Sequence, residues 1–382
     1  MDGENIYLDS AAAMPVRREL LESFNKYILD YSANPESAHS AGREAASLIR
    51  DAGERVSLAL TGGDYKVGWS SSATEAINIV FGFADFSGKV ILTSDSEHPA
   101  MLHAIERAGF CEIRKVPVKR DGLLDFDIFE KMINDDVAVV SVHHVQNETG
   151  AVQDLCEVRR LIDRKAPDAL FVSDTVQSVA KIAIPWAEAG IDIAFIGGHK
   201  VGAVSGGALL YNLHREPDIA KSFSRHLHDL RSASHLIGRP DPAVCMALAD
   251  AVIYAESGNA LCKASYLSKK LRTELMEMSD ASGDLNILLP VPEASSSPYI
   301  VTFLMPPYQA EVIVRMLSDK GVMVSAGSAC EASKLKPSSV LTAVAGSEKN
   351  ARTAIRVSFS YQSTISDLDI FMQLLTEVVQ EY

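Results

Sequence analysis

The chain has 382 residues, of which 47% are apolar and 23% charged, and its formal net charge is −14 at pH 7. A chain of this length is too long for one small hydrophobic core, so two domains are expected. The acidic balance argues against a protein that binds nucleic acid, because such proteins need clustered Lys and Arg side chains. The apolar stretches VAVVSVHHV and YIVTFLM are far shorter than the roughly 20 residues of a membrane-spanning helix.

The N-terminal segment and the cysteines indicate the cellular compartment. The first residues, MDGENIYLDS, have neither the basic nor the apolar segment of a secretory signal. Cys111, Cys156, Cys245, Cys262 and Cys330 are odd in number and widely spaced, which is typical of neither a disulfide framework nor a CxxC metal site. We therefore expect a protein of the reducing cytoplasm, with no metal, no membrane segment and no nucleic-acid partner.

Two helices are predicted near the beginning of the chain, followed by alternating strands and helices. The two helices are RRELLESFNKYILDY and HSAGREAASLIRDAGERVSLAL, and Gly62 and Gly63 end the second. Between about residues 66 and 212, β-rich runs alternate with amphipathic segments such as TEAINIVFGFA, PAMLHAIERAG and LCEVRRLIDRKA. The β-rich runs are KVGW, KVILT, EIRKVPV, VAVVSVHHV, ALFVSD, DIAFIGG and ALLYN. This pattern predicts an α/β domain with a mostly parallel seven-stranded sheet that is covered on both faces.

The region after GRPDP has a different pattern. One long helical run is predicted at about 242–280. It is followed by the strands YIVTFLM, VMVS and IRVSFS and by the helices YQAEVIVRMLSDKG and SDLDIFMQLLTEVVQEY. This predicts a smaller α+β domain. We place the large domain at 15–250, and the small domain at 1–14 together with 251–382.

Polar side chains follow two neighbouring predicted strands. In FVSDTVQSVAKIAI a buried strand runs into Asp174 with Gln177 close behind, and in DIAFIGGHKVGAVSGG another strand delivers His199 and Lys200. The carboxyl ends of parallel strands are where α/β sheets bind ligands. Asp174 could instead cap a following helix, and Lys200 could be an exposed loop residue. An acidic residue and a lysine so placed are, however, typical of pyridoxal 5′-phosphate (PLP) sites, in which they pair with the pyridinium nitrogen and form a Schiff base.

A segment suited to binding the phosphate of such a cofactor occurs earlier in the chain. WSSSATEAINIV places Ser71, Ser72, Ala73 and Thr74 immediately before a helix. The free N–H groups and the positive dipole of a helix N-terminus bind phosphate. Ser and Thr also cap many helices that bind nothing, so the motif is weak by itself.

His98, Asn147 and Cys330 are further candidates. SDSEHPAML places His98 before Pro99 at the end of the KVILT strand, where an isolated histidine is more often structural. HHVQNETGAV places Asn147 at another strand end. In VMVSAGSACEASKLKPSSVLTA, Cys330 ends a run of small residues, where it is either a small buried side chain or a nucleophile on a flexible loop.

These segments together resemble the cysteine desulfurases of the NifS/IscS kind, in the class V aminotransferase family. The resemblance extends over nearly the whole chain, in YLDSAAAMPV, NPESAHSAGREA, SSATEA, SEHPAML, HVQNETGAVQ, DTVQSV, GGHK, SAGSAC and IRVSFS. It implies the PLP-dependent transferase fold type I, a homodimer and L-cysteine as the substrate. The GSAC motif and the following EASKLKPSSVL match the longer-loop group, and the GHHC motif of the SufS-like group is absent.

The resemblance also implies how PLP is bound. Lys200 would carry the cofactor as an aldimine, and Asp174 would pair with the pyridine nitrogen. Gln177 would contact the ring hydroxyl, and His98 would stack on the ring. The residues implied for the phosphate are Ala73, Thr74 and His199.

The substrate and its sulfur involve other residues of the resemblance. Arg356, with Asn34, would hold the carboxylate of the substrate, and Asn147 would lie near cofactor and substrate. Cys330 would attack the substrate sulfur and become a persulfide, with His98 as the proton carrier for the thiol. The sulfur would then pass to a protein acceptor, such as an iron–sulfur scaffold or a thiolation carrier.

The chain departs from the family pattern at three places. Gly197 stands in GGHK where serine is usual, which removes one hydroxyl from the phosphate site. Met14 stands in AAAMPV where threonine is common. The family's RSGT, whose threonine reaches the phosphate of the neighbouring subunit, has two partial matches in DLRSASHLIGRPDPAV, around Ser234 and around Asp241. We prefer Ser234 or another residue of this loop, because a carboxylate beside a phosphate would be repelled.

Two other functions are compatible with parts of the pattern. A PLP-dependent aminotransferase or lyase acting on another small amino acid would give Cys330 no role, although the loop length and GSAC argue against it. A non-catalytic partner protein that has lost its cofactor would have no reason to retain Asp174, Gln177 and Lys200. Release of alanine and sulfide from cysteine tests the first alternative, and an absorbance band from bound PLP tests the second.

Overall fold

The computed structural model describes residues 5–215, 240–256, 258–281, 285–327 and 337–382. Ser234 and Cys330 therefore lie outside the described residues. Within the described ranges, no helix combines the length and the apolar character needed to cross a membrane.

Short strands and longer helices alternate through most of the chain. The strands are β1 (Ile6–Tyr7), β2 (Tyr65–Ser70), β3 (Val90–Ser94), β4 (Glu112–Val116), β5 (Val137–Ser141), β6 (Leu170–Ser173), β7 (Ile193–Gly197), β8 (Gly207–Asn212), β9 (Ile300–Leu304), β10 (Val322–Met323), β11 (Ser325–Ala326) and β12 (Ala354–Ser358). The helices are α1 (Arg18–Asp30), α2 (Ser40–Thr61), α3 (Ala73–Phe83), α4 (Pro99–Arg107), α5 (Phe126–Met132), α6 (Leu155–Lys165), α7 (Trp186–Ala189), α8 (Pro242–Glu256), α9 (Ala260–Ala281), α10 (Ala310–Asp319), α11 (Ser339–Ala345), α12 (Glu348–Ala351) and α13 (Ile365–Glu381).

A seven-stranded sheet with the order β2-β8-β7-β6-β5-β3-β4 lies at the centre of the larger part of the chain. The neighbours from β7 to β4 pair in parallel, whereas β8 is antiparallel to both β7 and β2. Every residue of β3 and of β7 is buried, as expected for strands that are covered on both faces. The predicted α/β class and the mostly parallel seven-stranded sheet are confirmed.

Two details of the helix predictions can be compared with the structure. Helix α2 ends at Thr61 and is capped by Gly62, which adopts the left-handed conformation with φ of 67°, as the sequence predicted. The single helical run predicted at about 242–280 was wrong, because α8 ends at Glu256 and α9 begins only at Ala260. Gly258 and Asn259 are both poor helix formers, which accounts for the interruption.

A second, smaller arrangement of strands is formed by the C-terminal part of the chain and the N-terminal segment. Strands β11, β12 and β9 form an antiparallel sheet in that order, and β1 pairs in parallel with β10. Leu8 packs in a hydrophobic cluster with Leu271 and Phe371, apart from the clusters around the large sheet. The N-terminal segment thus packs with the C-terminal region, while the boundaries given above for the two domains stay a prediction.

The topology brings the predicted polar residues to one edge of the large sheet. Parallel strands present their carboxyl ends at the same edge. His98 follows β3, Asn147 follows β5, Asp174 directly follows β6, and Lys200 follows β7. Residues that are far apart in sequence are therefore expected to line one cleft.

Candidate active site

A cleft with about 690 Å³ of space not filled by atoms, part of it open to solvent, lies at this edge of the sheet. This size suits a small molecule or an organic cofactor. The predicted site residues that line it are Ala73, Thr74, His98, Asn147, Asp174, Gln177, His199, Lys200 and Arg356.

Lys200 ends a short 3-10 turn that follows β7, and its side chain is half-buried. Its Nζ donates hydrogen bonds to the carbonyl oxygens of Ala11 and Ala12, both at 2.7 Å. The backbone of Met14 in turn donates to the carbonyl oxygen of His199 at 2.8 Å. The N-terminal segment therefore holds both the turn and the amine of Lys200 in place.

Asp174 is buried at the end of β6, and its Oδ1 accepts a hydrogen bond from the backbone N–H of Val176 at 3.0 Å. The residues after Asp174 form turns, so the alternative of a cap on a following helix is not observed. Its carboxylate is a negative charge placed in the cleft, opposite in sign to the pyridinium nitrogen of PLP.

Gln177 lies between two fixed partners. Its Nε2 donates to the carbonyl oxygen of Ala11 at 2.9 Å, and its Oε1 accepts from Nζ of Lys181 at 2.9 Å. Sequence reasoning missed Lys181. The available signal was a lone lysine within the mostly apolar run SVAKIAI, since lysine is almost never fully buried unless paired.

His98 caps helix α4 and lines the cleft. Its Nδ1 accepts a hydrogen bond from the backbone N–H of Ala100 at 3.1 Å, so the network assigns the proton of the neutral ring to Nε2. Burial lowers the pKa of His98, although the nearby carboxylate of Asp174 acts in the opposite direction. The ring is therefore neutral near pH 7 and has a donor on Nε2.

The N-terminus of α3 forms the other end of the cleft. Ser72 is the N-cap and accepts from the N–H of Glu75 at 3.1 Å, while Ala73 and Thr74 begin the helix. Strand β8 approaches this turn so closely that a β-carbon on Gly207 would lie 2.3 Å from the carbonyl carbon of Ser72. The helix N-terminus is thus held against the sheet, where its free N–H groups can bind a phosphate.

His199 and Gly197 lie beside the same helix N-terminus. Desolvation in the cleft, followed by the charge of Lys200, lowers the pKa of His199 to about 4, although part of the residue stays exposed. A β-carbon on Gly197 would lie 3.5 Å from Cε1 of His199 and 3.6 Å from Cβ of Ala73. The position of the missing serine therefore faces the predicted phosphate site.

Arg356 is buried on β12 and reaches the cleft from the smaller sheet. Its Nη1 donates to the carbonyl oxygen of Asn147 and its Nη2 to Oδ1 of Asp9, both at 2.8 Å. Its Nε has no hydrogen-bond partner among the described residues. One further N–H on each of Nη1 and Nη2 is left for a carboxylate, and Asp9 is a second residue that sequence reasoning did not single out.

Neither Asn34, a predicted substrate ligand, nor Asp241 lines the cleft formed by this chain. Asn34 is exposed in the loop before α2, and its Oδ1 accepts from the N–H of Glu36 at 3.0 Å, so it stabilises a local turn. Its predicted contact with the substrate carboxylate stays a prediction. Oδ1 of Asp241, one of the two partial RSGT matches, accepts from the N–H of Ala243 at 2.9 Å at the start of α8, and the preference for Ser234 over Asp241 stays a prediction.

Comparison with known proteins identifies the family. Residues 6–371 match the family described as Aminotransferase class-V. The chain is 31% identical to a cysteine desulfurase IscS of Anaeromyxobacter sp. strain Fw109-5, over 98% of this chain and 93% of the relative. It is 29% identical to a cysteine desulfurase IscS of Dictyoglomus turgidum, over 98% of this chain and 95% of the relative.

A solved structure agrees with the sequence relatives. The NifS-like protein from Rickettsia africae ESF-5 superposes with a TM-score of 0.81 and 25% identity, over 99% of this chain and 100% of that one. The chain belongs to the class V aminotransferase family and, within it, to the cysteine desulfurases of the NifS/IscS kind. The resemblance stated from the sequence is confirmed, and so is fold type I.

Proteins of this family depend on PLP, and the groups in the cleft fit this cofactor. The cleft offers an amine on Lys200, a buried carboxylate on Asp174 and a helix N-terminus at Ala73. These are the three kinds of group that an aldehyde, a pyridinium nitrogen and a phosphate require.

Proposed function

We propose that this protein is a PLP-dependent cysteine desulfurase that converts L-cysteine to L-alanine and transfers the sulfur to Cys330 as a persulfide. The observation that carries the proposal is the convergence of Lys200, Asp174 and Arg356 on one cleft in a member of this family. These side chains supply an amine, a ring partner and a carboxylate ligand.

The cleft residues would divide the binding of PLP between them. Asp174 would pair with the ring nitrogen, Gln177 would donate to the ring hydroxyl and His98 would lie over the ring. The residues proposed for the phosphate are Ala73, Thr74 and His199. When bound, PLP supplies an electron sink that makes the Cα proton of the amino acid acidic.

Arg356 would orient the substrate through a bidentate pair with its carboxylate. Because Asp9 and Asn147 already hold two of its donors, the guanidinium is fixed before substrate arrives. Lys200 would take the Cα proton at Nζ. The carbonyl oxygens of Ala11 and Ala12 are placed to accept hydrogen bonds from the resulting ammonium.

Sulfur transfer would use the thiolate of Cys330, which attacks Sγ of the substrate. The S–S bond forms as the Cβ–Sγ bond breaks, the electron pair stays with the carbon skeleton, and protonation of that skeleton gives alanine. Only the thiolate is nucleophilic, and an ordinary cysteine with a pKa of about 8.5 is mostly protonated at pH 7. His98 lines the cleft and is our proposed carrier of this proton, which it would take up at Nε2 after giving up the proton that the neutral ring holds there.

The described residues on both sides of Cys330 support its assignment to the site. On the preceding side, Ser325 pairs with Arg356 across the small sheet. On the following side, Oγ of Ser338 donates to Oε2 of Glu148 at 2.6 Å, next to Asn147. The chain therefore enters and leaves the segment containing Cys330 beside the substrate end of the cleft.

We further infer a cytoplasmic homodimer that passes sulfur to a protein acceptor of an iron–sulfur or thiolation pathway. The described residues are those of one chain. The support for the homodimer, the compartment and the acceptor is therefore the family resemblance.

The decisive experiment uses the purified full-length protein with PLP and L-cysteine. Alanine formation together with a persulfide on the protein is the expected result. A keto acid in place of alanine would favour the alternative, a class V aminotransferase or lyase acting on another small amino acid. Absence of both products with PLP bound would contradict the proposed function.

A further inference from the structure

Lys181 is a buried lysine for which the mechanism above has no role. It lies in the turns after Gln177, and only 6% of its surface is exposed. Its Nζ donates to Oε1 of Gln177 at 2.9 Å, and it forms no ion pair with a carboxylate in the described part of the chain. Burial of an amine without an acidic partner is unfavourable, so the position calls for a compensating role.

The surroundings of Lys181 disfavour its charged form. Desolvation, followed by the positive charges of Lys200 and Arg356, lowers the pKa of Lys181 to about 7. The side chain has hydrogen-bond donors in either protonation state. Its contact with Gln177 therefore persists on both sides of neutrality.

This contact determines which way the amide of Gln177 faces. Lys181 offers donors on one side of the amide, and the carbonyl oxygen of Ala11 offers an acceptor on the other. The reversed amide would set its N–H group against an amine and its oxygen against a carbonyl. Oε1 therefore faces Lys181, and Nε2 has one N–H for Ala11 and a second for the cleft.

We propose that Lys181 is a positioning residue that fixes the amide of Gln177 as a hydrogen-bond donor to the ring hydroxyl oxygen of PLP. This inference rests on the proposed function in one respect, the placement of the PLP ring beside Gln177. Lys181 itself touches neither cofactor nor substrate in this assignment. It acts through Gln177 alone.

The test is a double-mutant cycle on the full-length protein with PLP as the ligand. Lys181→Met and Gln177→Leu, each alone, are expected to weaken PLP binding by roughly three- to tenfold, the range for one lost hydrogen bond. The double variant is expected to lose no more PLP affinity than Gln177→Leu alone, because in that variant Lys181 has no amide left to orient. Both single variants should also shift the absorption maximum of bound PLP in the same direction.

A control at the half-buried Lys263 separates this role from the loss of any hydrogen bond made by a lysine. Nζ of Lys263 donates to the carbonyl oxygen of Tyr361 at 3.0 Å, and Lys263 does not line the cleft. Lys263→Met is expected to leave PLP affinity and spectrum unchanged. If Lys181→Met does not fold, Lys181→Gln, whose shorter side chain withdraws from Gln177, replaces it in the cycle.

Two outcomes would overturn the proposal. In the first, Lys181→Met weakens PLP binding by the same factor in the Gln177→Leu variant as in the wild type. Lys181 would then have a purely structural role. The other is unchanged affinity and spectrum in Lys181→Met. Failure of the proposed function has a different signature, because wild-type protein would then bind PLP without forming alanine, or would not bind PLP.

Discussion

The amine of Lys200 is held by two carbonyl oxygens at the base of the cleft, which defines where an aldehyde must arrive to react with it. Lys200→Ala is therefore expected to abolish the covalent, borohydride-reducible attachment of PLP. Mass spectrometry after reduction checks this result. Lys181→Met is the matched control and should retain the attachment on Lys200, whereas an adduct on another lysine of Lys200→Ala would contradict the assignment.

Asp174 and Gln177 make contacts of different strength with the cofactor ring in our assignment. A charge-assisted hydrogen bond contributes about 1.5–3 kcal/mol and a neutral one about 0.5–1.5 kcal/mol. Asp174→Ala should therefore lower alanine formation by roughly ten- to a hundredfold, more than Gln177→Ala does. Steady-state assays at saturating PLP would show the difference, and small equal losses would contradict these roles.

Gly197 offers a position at which the phosphate site can be strengthened. A β-carbon there faces His199 and Ala73 and meets Cγ1 of Val176 at 3.1 Å, so the valine must yield slightly. Gly197→Ser adds a hydroxyl donor and is expected to tighten PLP binding by roughly three- to tenfold. Gly197→Ala adds the β-carbon alone and should give no gain; an equal gain from both variants in equilibrium binding would rule out the hydroxyl as the cause.

Helix α4 depends on His98 in a way that can be separated from catalysis. Because Nδ1 of His98 caps the helix, His98→Ala should lower the free energy of unfolding by about 1 kcal/mol, whereas His98→Asn keeps a capping oxygen. Both variants remove the ring and should lose most alanine formation. Chemical denaturation and activity assays together check this, and full activity in His98→Asn would mean that the ring has only a structural role.

The elements illustrate what local sequence patterns can and cannot predict. Most strands of the large sheet were predictable because their apolar residues form compact runs bounded by glycine and polar residues; β4, with the sequence EIRKV, is an exception. The pairing of β1 with β10 depends on contacts between distant parts of the chain, and two-residue strands carry no periodicity. The interruption between α8 and α9 was missed because the flanking segments are both strongly helical.

In the site, too, local sequence patterns indicated some residues, whereas others are placed by contacts between distant parts of the chain. Motif residues such as Asp174 and Lys200 were identified because each follows a buried strand. The pairing of Asp9 with Arg356 joins the two ends of the chain, so no local pattern indicates it. Asn34 differs, because the bond of its Oδ1 to the N–H of Glu36 is a local turn contact that its sequence could have indicated. Sequence thus predicted the chemistry, and the fold added the groups that orient it.

The two parts of the molecule meet at the cleft, and this arrangement defines the last prediction. The large sheet provides Asp174 and Lys200, and the small sheet provides Arg356, which pairs with Ser325, five residues before Cys330 in the sequence. Cofactor binding and sulfur removal should therefore be separable. Cys330→Ser is expected to bind PLP and to respond to added cysteine with a change in the absorbance of the cofactor, yet to release no alanine.

The other cysteines provide controls for that experiment. Cys262 is exposed and does not line the cleft, so Cys262→Ser should keep normal alanine production. Cys245 is buried, which raises the pKa of its thiol and leaves it unreactive at neutral pH. Normal alanine production by Cys330→Ser would contradict the desulfurase mechanism and favour an aminotransferase or lyase. If Cys330→Ser lost both PLP and activity, Cys330 would instead be a structural residue. A nucleophile that contacts only the substrate sulfur is not needed to hold the cofactor.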